Sequence, residues 1–217
     1  MTVDAGRRLR VSVVIPCAGK HVSLLPTLLE HLSTQTRIPD EIVVSTSGCA
    51  LSEVPSLDVE LVHSKRLLSA GANRNRASAI ASSDVLIYQD ADDVPHPQRV
   101  EIIAAMFERY EIDHLMHFLY YLESEPALFS VDEAVRVSDC RTSLLEYHQP
   151  LHVGLVQCVT NGNVAVSREL SRQIAWPEYH AIGEDVEFNR TVYARGKRSM
   201  VIALPLITYR HELSSFK

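Results

Sequence analysis

Three carboxylates, Asp90, Asp92 and Asp93, stand in one short stretch directly after the apolar run Val85-Leu86-Ile87-Tyr88. Anionic groups crowded at the end of a buried strand are unfavourable unless something positive binds them. In an extended segment alternate side chains share a side, so Asp90 and Asp92 converge. Two such carboxylates, with positions left for water and phosphate oxygens, suit Mg²⁺ or Mn²⁺ on a diphosphate. Asp93, ahead of Pro95 and Pro97, has a plainer alternative as the cap of the helix that follows. A second acidic pair, Glu184-Asp185, follows Gly183 and opens a helical segment carrying Phe188 and Val192 on one face. A helix N-terminus favours ionised carboxylates, so capping competes there with general-base chemistry. Other reaction types find no support. No G-x-S-x-G, G-x-G-x-x-G or P-loop pattern is present, and Gly19-Lys20-His21 lacks the P-loop's upstream glycine. His114 and His117, three apart on an expected strand, face opposite ways and make a poor metal pair.

The elements that must position these groups follow from hydrophobic period. Val11–Pro16, Glu41–Ser45, Val59–Val62 and Val85–Tyr88 read as strands, the third weaker. Between them lie a helix from Leu25, with Leu28, Leu29 and Leu32 on one face, and a second from Ser69 to Ala81. Val100, Ile103, Ala104 and Phe107 mark a third. Strands without polar alternation, separated by helices, make a parallel sheet covered on both faces: an α/β, Rossmann-like layer. Ligands in such sheets bind beyond the carboxyl ends of the strands, which brings Pro16–Lys20, Ser45–Gly48 and Asp90–Asp93 to one edge. Further on, His114–Leu122, Asn163–Val166 and Met200–Leu206 read as strands and Glu184–Arg195 as a helix. Ser124–His152 reads as loops with a short helix.

The chain has 217 residues, 46% hydrophobic and 22% charged, which excludes wholesale disorder and suits a single domain. Its net charge of −6 offers nothing to displace counterions from phosphate, so nucleic acid is not an expected partner. Cys17, Cys49, Cys140 and Cys158 are scattered, without a C-x-x-C pair, and read as reduced thiols. Arg7, Arg8 and Arg10 precede an apolar run interrupted by Pro16, which is not a signal-peptide pattern, and no run is long enough to span a bilayer. A cytoplasmic location is expected, with the arginines offering peripheral contact with anionic lipid as the alternative.

Taken in order, several segments resemble family 2 glycosyltransferases of GT-A fold. They are Val11–Pro16, the Leu-rich helix ending Gln35-Thr36, Asp40–Val44, Gly71-Ala72-Asn73-Arg74-Asn75-Arg76-Ala77, and Gln89-Asp90-Ala91-Asp92-Asp93 with Pro95. Thr160-Asn161-Gly162-Asn163-Val164-Ala165 and Gly183-Glu184-Asp185-Val186-Glu187-Phe188 complete the series, which spans nearly the whole chain. The resemblance implies one GT-A domain over 1–217, with a nucleotide-sugar half at about 10–112 and an acceptor-side, catalytic-base half at about 113–217. It implies a nucleotide-diphosphate-sugar donor, UDP-sugar favoured and GDP-sugar possible, bound across Pro16, Ala18, Ser45, Thr46, Asp90 and Ala91 with Arg74 nearby. A guanidinium pairs readily with phosphate or base carbonyls, although a surface arginine on a polar helix would look the same.

The resemblance further implies Mn²⁺ or Mg²⁺ on Asp92, with Asp90 and the C-terminal His211 as additional ligands and Arg210 alternatively on the diphosphate. Asn161, Gly162 and Asn163 fall on the acceptor side, and Trp176 either stacks on a sugar ring or belongs to the core. Asp185 is the expected base of an inverting transfer, Glu184 the other candidate. One departure stands out: Ser45-Thr46-Ser47-Gly48 occupies the place of the family's acidic Val-Asp-Asp-Gly-Ser pattern. The acceptor is a glycan, glycoprotein or small molecule. The rival readings are a sugar nucleotidyltransferase, which would want a Gly-rich basic loop after the first strand, and a non-catalytic nucleotide-sugar-binding module.

Overall fold

The computed structural model describes residues 8–120, 128, 161–179 and 183–210. Almost all of the stretch read as loops, Ser124–His152, and also His211 therefore lie outside the described residues. Among the described residues eight strands form one sheet: β1 (Val11–Ala18), β2 (Glu41–Ser47), β3 (Glu60–Ser64), β4 (Val85–Tyr88), β5 (Val94–Pro95), β6 (His114–Tyr120), β7 (Val164–Ser167) and β8 (Ser199–Thr208). Their spatial order is β3-β2-β1-β4-β7-β6-β8-β5. The first four run parallel, β7 enters antiparallel between β4 and β6, and β8 pairs parallel with β6. After β1 the chain moves outward to β2 and β3 and then returns to β4 on the other side of β1. That reversal leaves a crevice at the carboxyl ends of β1 and β4.

Among the described residues five helices cover the two faces: α1 (Leu25–Ser33), α2 (Ala70–Ile80), α3 (Arg99–Arg109), α4 (Arg168–Gln173) and α5 (Glu184–Ala194). The strand period of two sorts the core. Val11, Val13, Ile15 and Cys17 pack with Leu25, Leu28 and Leu32 of α1 and Ile102, Ile103 and Met106 of α3. Val14, Val43, Leu86 and Tyr88 pack on the other face with Ala77 of α2, Leu170 of α4, and Phe188 and Val192 of α5. β1 runs two residues past the expected stop at Pro16. Pro16 tolerates this because its nitrogen falls on the β4 side, and β4 pairs with β1 only as far as Val14↔Tyr88. The two-residue β5 and the six-residue α4 are too short to leave a period in the sequence.

Helix starts follow ordinary capping chemistry. Ser69 accepts the Ala72 N–H at 3.1 Å to open α2, and Ser167 accepts the Leu170 N–H at 3.1 Å to open α4. α3 is served from a distance: Gln35, just past α1, accepts the Val100 N–H at 3.1 Å and donates to the His96 carbonyl at 2.8 Å. Gln35 thereby fixes α1 against the segment that follows the aspartates.

Candidate functional site

Asp90–Asp93 is a tight turn rather than the extended segment expected, closed by the Asp93 N–H to the Asp90 carbonyl at 3.3 Å. Asp90 and Asp92 are half-buried at the crevice and Asp93 is buried. Asp93 caps no helix, since α3 begins only at Arg99; instead its Oδ1 accepts the Arg210 main-chain N–H at 3.3 Å. Burial, Asp90 and Asp92 together push the Asp93 carboxyl well above its ordinary range. Asp92 is raised by burial and by the charge of Asp90, partly offset by His21 and Lys20. Two carboxylates that repel one another fit a hard cation whose other positions are filled by phosphate and water. Among the described residues no group of three metal-ligating side chains forms. Arg210 and Asp92 both line a small pocket on the α1 side of the turn.

Arg74 joins the two acidic motifs. Its side chain is 1% exposed, its Nη2 donates to Asp90 Oδ1 at 2.6 Å and its Nη1 to Glu184 Oε1 at 3.2 Å. Burial alone would lower this guanidinium's pKa, and Asp90 and Glu184 more than reverse it. Arg74 is therefore a buried ion-pair member, not the surface arginine its helix suggests. Its ring neighbour is Trp176, with the guanidinium carbon 4.7 Å from the indole centroid. Trp176 is 2% exposed, stacked on Phe188 at 4.0 Å and edge-on to Tyr88. It belongs to the core, and the sugar-stacking expectation is corrected: no face of the indole is open.

The loop bearing Trp176 is held to α2 by main-chain mimicry. Asn75 Nδ2 donates to the Trp176 carbonyl at 2.9 Å, and its Oδ1 accepts the Trp176 N–H at 2.8 Å. Gly71 makes the approach possible, because a Cβ there would stand 2.0 Å from the Pro177 carbonyl oxygen. On the next helix, α5, Glu184 is buried in its pair with Arg74. Asp185 is half-buried and, among the described residues, accepts a local N–H, from Val186 at 2.8 Å, and burial raises its pKa to about 6.

A second correction concerns the end of β2. Ser45 and Thr46, expected to meet the donor, have no exposed surface. Ser45 donates to Asn73 Oδ1 at 2.9 Å, Asn73 Nδ2 donates to Ser47 at 2.9 Å, and Thr46 bonds the His63 ring at 2.9 Å. These hydroxyls hold α2 and β3 to β2 and are spent. Of the other donor-side residues, Ala18 is half-buried at the crevice, whereas Pro16 and Ala91 are buried and can offer only main chain. Gly162 and Asn163 sit with no free surface in a single turn of 3-10 helix, Asn161–Asn163, ahead of β7, and the side chain of Asn161 lies outside the described residues. Gly162 lies against the aspartate turn, where an added Cβ would be 3.2 Å from Asp93 Oδ2. The Asn163 amide is fully buried without a hydrogen-bond partner among the described residues.

Two groups escaped the sequence reading. Arg99 and His117 are buried behind the aspartate turn, Arg99 Nε donating to His117 Nε2 at 3.1 Å. His114 lies on the opposite face of β6, bonded to Asn189 at 2.9 Å, as the spacing required.

Comparison with known proteins agrees with this architecture. The curated relative AmsB of Erwinia amylovora, an amylovoran biosynthesis glycosyltransferase, is 24% identical over 94% of this chain and 70% of its own length. Residues 1–349 of S. aureus TarS, solved with UDP-GlcNAc, superpose with a TM-score of 0.67 at 16% identity, covering 96% of this chain and 62% of that one. Glucosyl-3-phosphoglycerate synthase from Mycobacterium tuberculosis, solved with Mn²⁺, UDP-glucose and phosphoglyceric acid, gives 0.65 at 20% identity, covering 94% and 72%. The chain thus spans under two thirds of the TarS fragment, and at these identities the solved structures establish the GT-A fold alone. The model of the family described as glycosyl transferase family 2 matches residues 12–145, well over half of the sequence, and the chain belongs to that family of enzymes.

Proposed function

We propose that this glycosyltransferase moves a sugar from a UDP-sugar to an acceptor hydroxyl with inversion, using Asp185 as general base. The observation that carries the reading is the Asp90–Arg74–Glu184 chain, which ties the aspartate turn to the start of α5 through one buried guanidinium. Glu184, locked in that pair, is spent on position. Asp185, beside it, is half-buried, accepts the Val186 N–H and is raised to about 6, so it is ionised and able to take a proton at neutral pH. Attack by the deprotonating hydroxyl on the anomeric carbon, in line with the departing diphosphate, inverts the centre. Asp92, with the Asp90 oxygen not bonded to Arg74, is the place for Mn²⁺ or Mg²⁺, which when bound would neutralise the leaving diphosphate. The UDP-sugar complexes of the two structural neighbours support the donor class.

The nucleotidyltransferase reading loses its support at Gly19. That glycine is needed because a Cβ would be 2.7 Å from the Gly48 carbonyl oxygen, so it closes two loops together and does not open a phosphate cradle. Calorimetry with UDP, GDP, CDP and dTDP, each with Mn²⁺ and with EDTA, tests the proposal. Metal-dependent binding of UDP, abolished in Asp92→Ala, is expected, and absence of binding to every diphosphate would overturn the reading. Asp185→Asn should bind UDP-sugar normally while its turnover falls by about a thousandfold or more. Wild-type kcat/KM should decline as pH drops through about 6, where Asp185 gains its proton.

A further inference from the structure

Arg99 opens α3 with no exposed surface, and every one of its guanidinium nitrogens donates to a neutral acceptor. Nη1 reaches Gln89 Oε1 at 3.0 Å, Nη2 the Tyr88 carbonyl at 2.8 Å and also the Gly162 carbonyl, and Nε the His117 ring. His117 is fixed as the acceptor because its Nδ1 lies 2.8 Å from the Phe118 carbonyl, which cannot donate. Gln89 is fixed in the same way. With Oε1 taken by Arg99, its amide nitrogen donates to the carbonyls of Asp90 at 3.0 Å and Asp93 at 3.1 Å. These are the two ends of the aspartate turn. Arg99 thus grips the strand end before the turn, the turn itself through Gln89, and the Gly162 turn packed against it. A buried cation without a hydrogen-bonded carboxylate is an expensive way to gain stability alone.

Resting on the donor-site reading above, we infer that Arg99 is a positioning residue. Through Gln89 it presets the Asp90–Asp93 turn and clamps the Gly162 turn to it, so that the carboxylates are in place before the diphosphate and its cation arrive. The deciding variant is Gln89→Glu. It keeps an acceptor for Arg99, so the buried guanidinium remains satisfied, but it has no N–H to give to the Asp90 and Asp93 carbonyls. Gln89→Met removes the same donors without adding charge.

Melting curves establish that each variant is folded, and calorimetry then measures UDP binding in Mn²⁺. Both variants should bind about tenfold more weakly or worse, in the range typical of residues supporting metal ligands, while remaining folded at the assay temperature. Arg99→Lys, which keeps charge but not the fork, should weaken binding similarly. If the folded Gln89 variants bind UDP within about twofold of wild type, Arg99 is only a stitch in the core and the inference falls while the donor-site reading stands. If wild type itself binds no UDP with Mn²⁺, the donor-site reading falls and takes the inference with it.

Discussion

Arg74 and Arg99 are two fully buried arginines on opposite sides of one aspartate turn, and they are satisfied in opposite ways. Arg74 faces carboxylates, Asp90 in front and Glu184 beside it, and its positive form is favoured over that in water. Arg99 faces carbonyls, an amide and an imidazole, and burial lowers it to about 9, with only the more distant charges of Asp93 and Asp90 in its favour. The first arrangement holds charge where a charged ligand would meet it, and the second holds main chain in shape. Hydrogen-bond count alone would rank Arg99 the more important to stability. Electrostatics says the reverse, because removing Arg74 takes the counter-charge from a buried and a half-buried carboxylate whereas removing Arg99 strands neutral groups.

That ranking can be broken by experiment. Arg74→Met should destabilise the fold by about 3–5 kcal/mol, the usual result of leaving part of a buried ion cluster unpaired. Arg99→Met should lose less, about 1–3 kcal/mol, although it forfeits more hydrogen bonds. Urea denaturation of both variants gives the comparison directly, and a larger loss at Arg99 would reverse the assignment of roles. Adding Glu184→Gln to Arg74→Met should recover part of the loss, since one of the stranded charges is then gone.

The sequence held the acidic ends of the site more clearly than their supports. Asp90 and Asp92 drew attention because carboxylates directly after an apolar strand have few structural explanations, whereas Glu184 and Asp185, at a helix start where capping competes, stood out chiefly through the resemblance. Arg99 did not, for it sits at the start of an amphipathic helix, where an arginine normally faces water. Ser45 and Thr46 were misjudged for a related reason. Their position at a strand end is visible in the sequence, but whether a hydroxyl there meets solvent or a helix depends on how closely α2 packs. Trp176 shares that ambiguity, settled only by Phe188 and Arg74 closing over it. The buried face of α2 is polar, with Asn73 and Arg74, so the helix beside the candidate site carries no apolar stripe from which its packing could be read.

The Arg74 side of the comparison can be sharpened without touching a charge. Gly71→Ala places a methyl group against the Pro177 carbonyl, which must move together with Trp176. The expected loss is about 1–3 kcal/mol, as for other overpacked sites. Because the displaced segment covers Arg74 and not Arg99, tryptophan fluorescence from the single indole should change with Gly71→Ala and remain native-like in Gln89→Met. Equal changes in both would mean that the two arginine clusters respond as one unit.

The smallest effect concerns the carboxylate beside Glu184. Asp185 has a folded pKa raised from 3.8 to about 6, chiefly by burial, so the native state binds its proton more tightly than the unfolded chain does. Stability from this group is therefore present at low pH and is lost as pH rises through about 6, the opposite of an ion-paired carboxylate. Asn at this position is neutral at every pH and keeps an oxygen to accept the Val186 N–H. Asp185→Asn should accordingly melt like wild type near pH 4 and be the more stable protein at pH 8. The difference should be about 1–2 kcal/mol, below what the full pKa shift implies because the side chain is only half-buried. Paired with lost turnover, that gain would identify Asp185 as a carboxylate kept where it is useful to chemistry at the expense of the fold. A variant less stable than wild type at pH 8 would instead make Asp185 a helix cap.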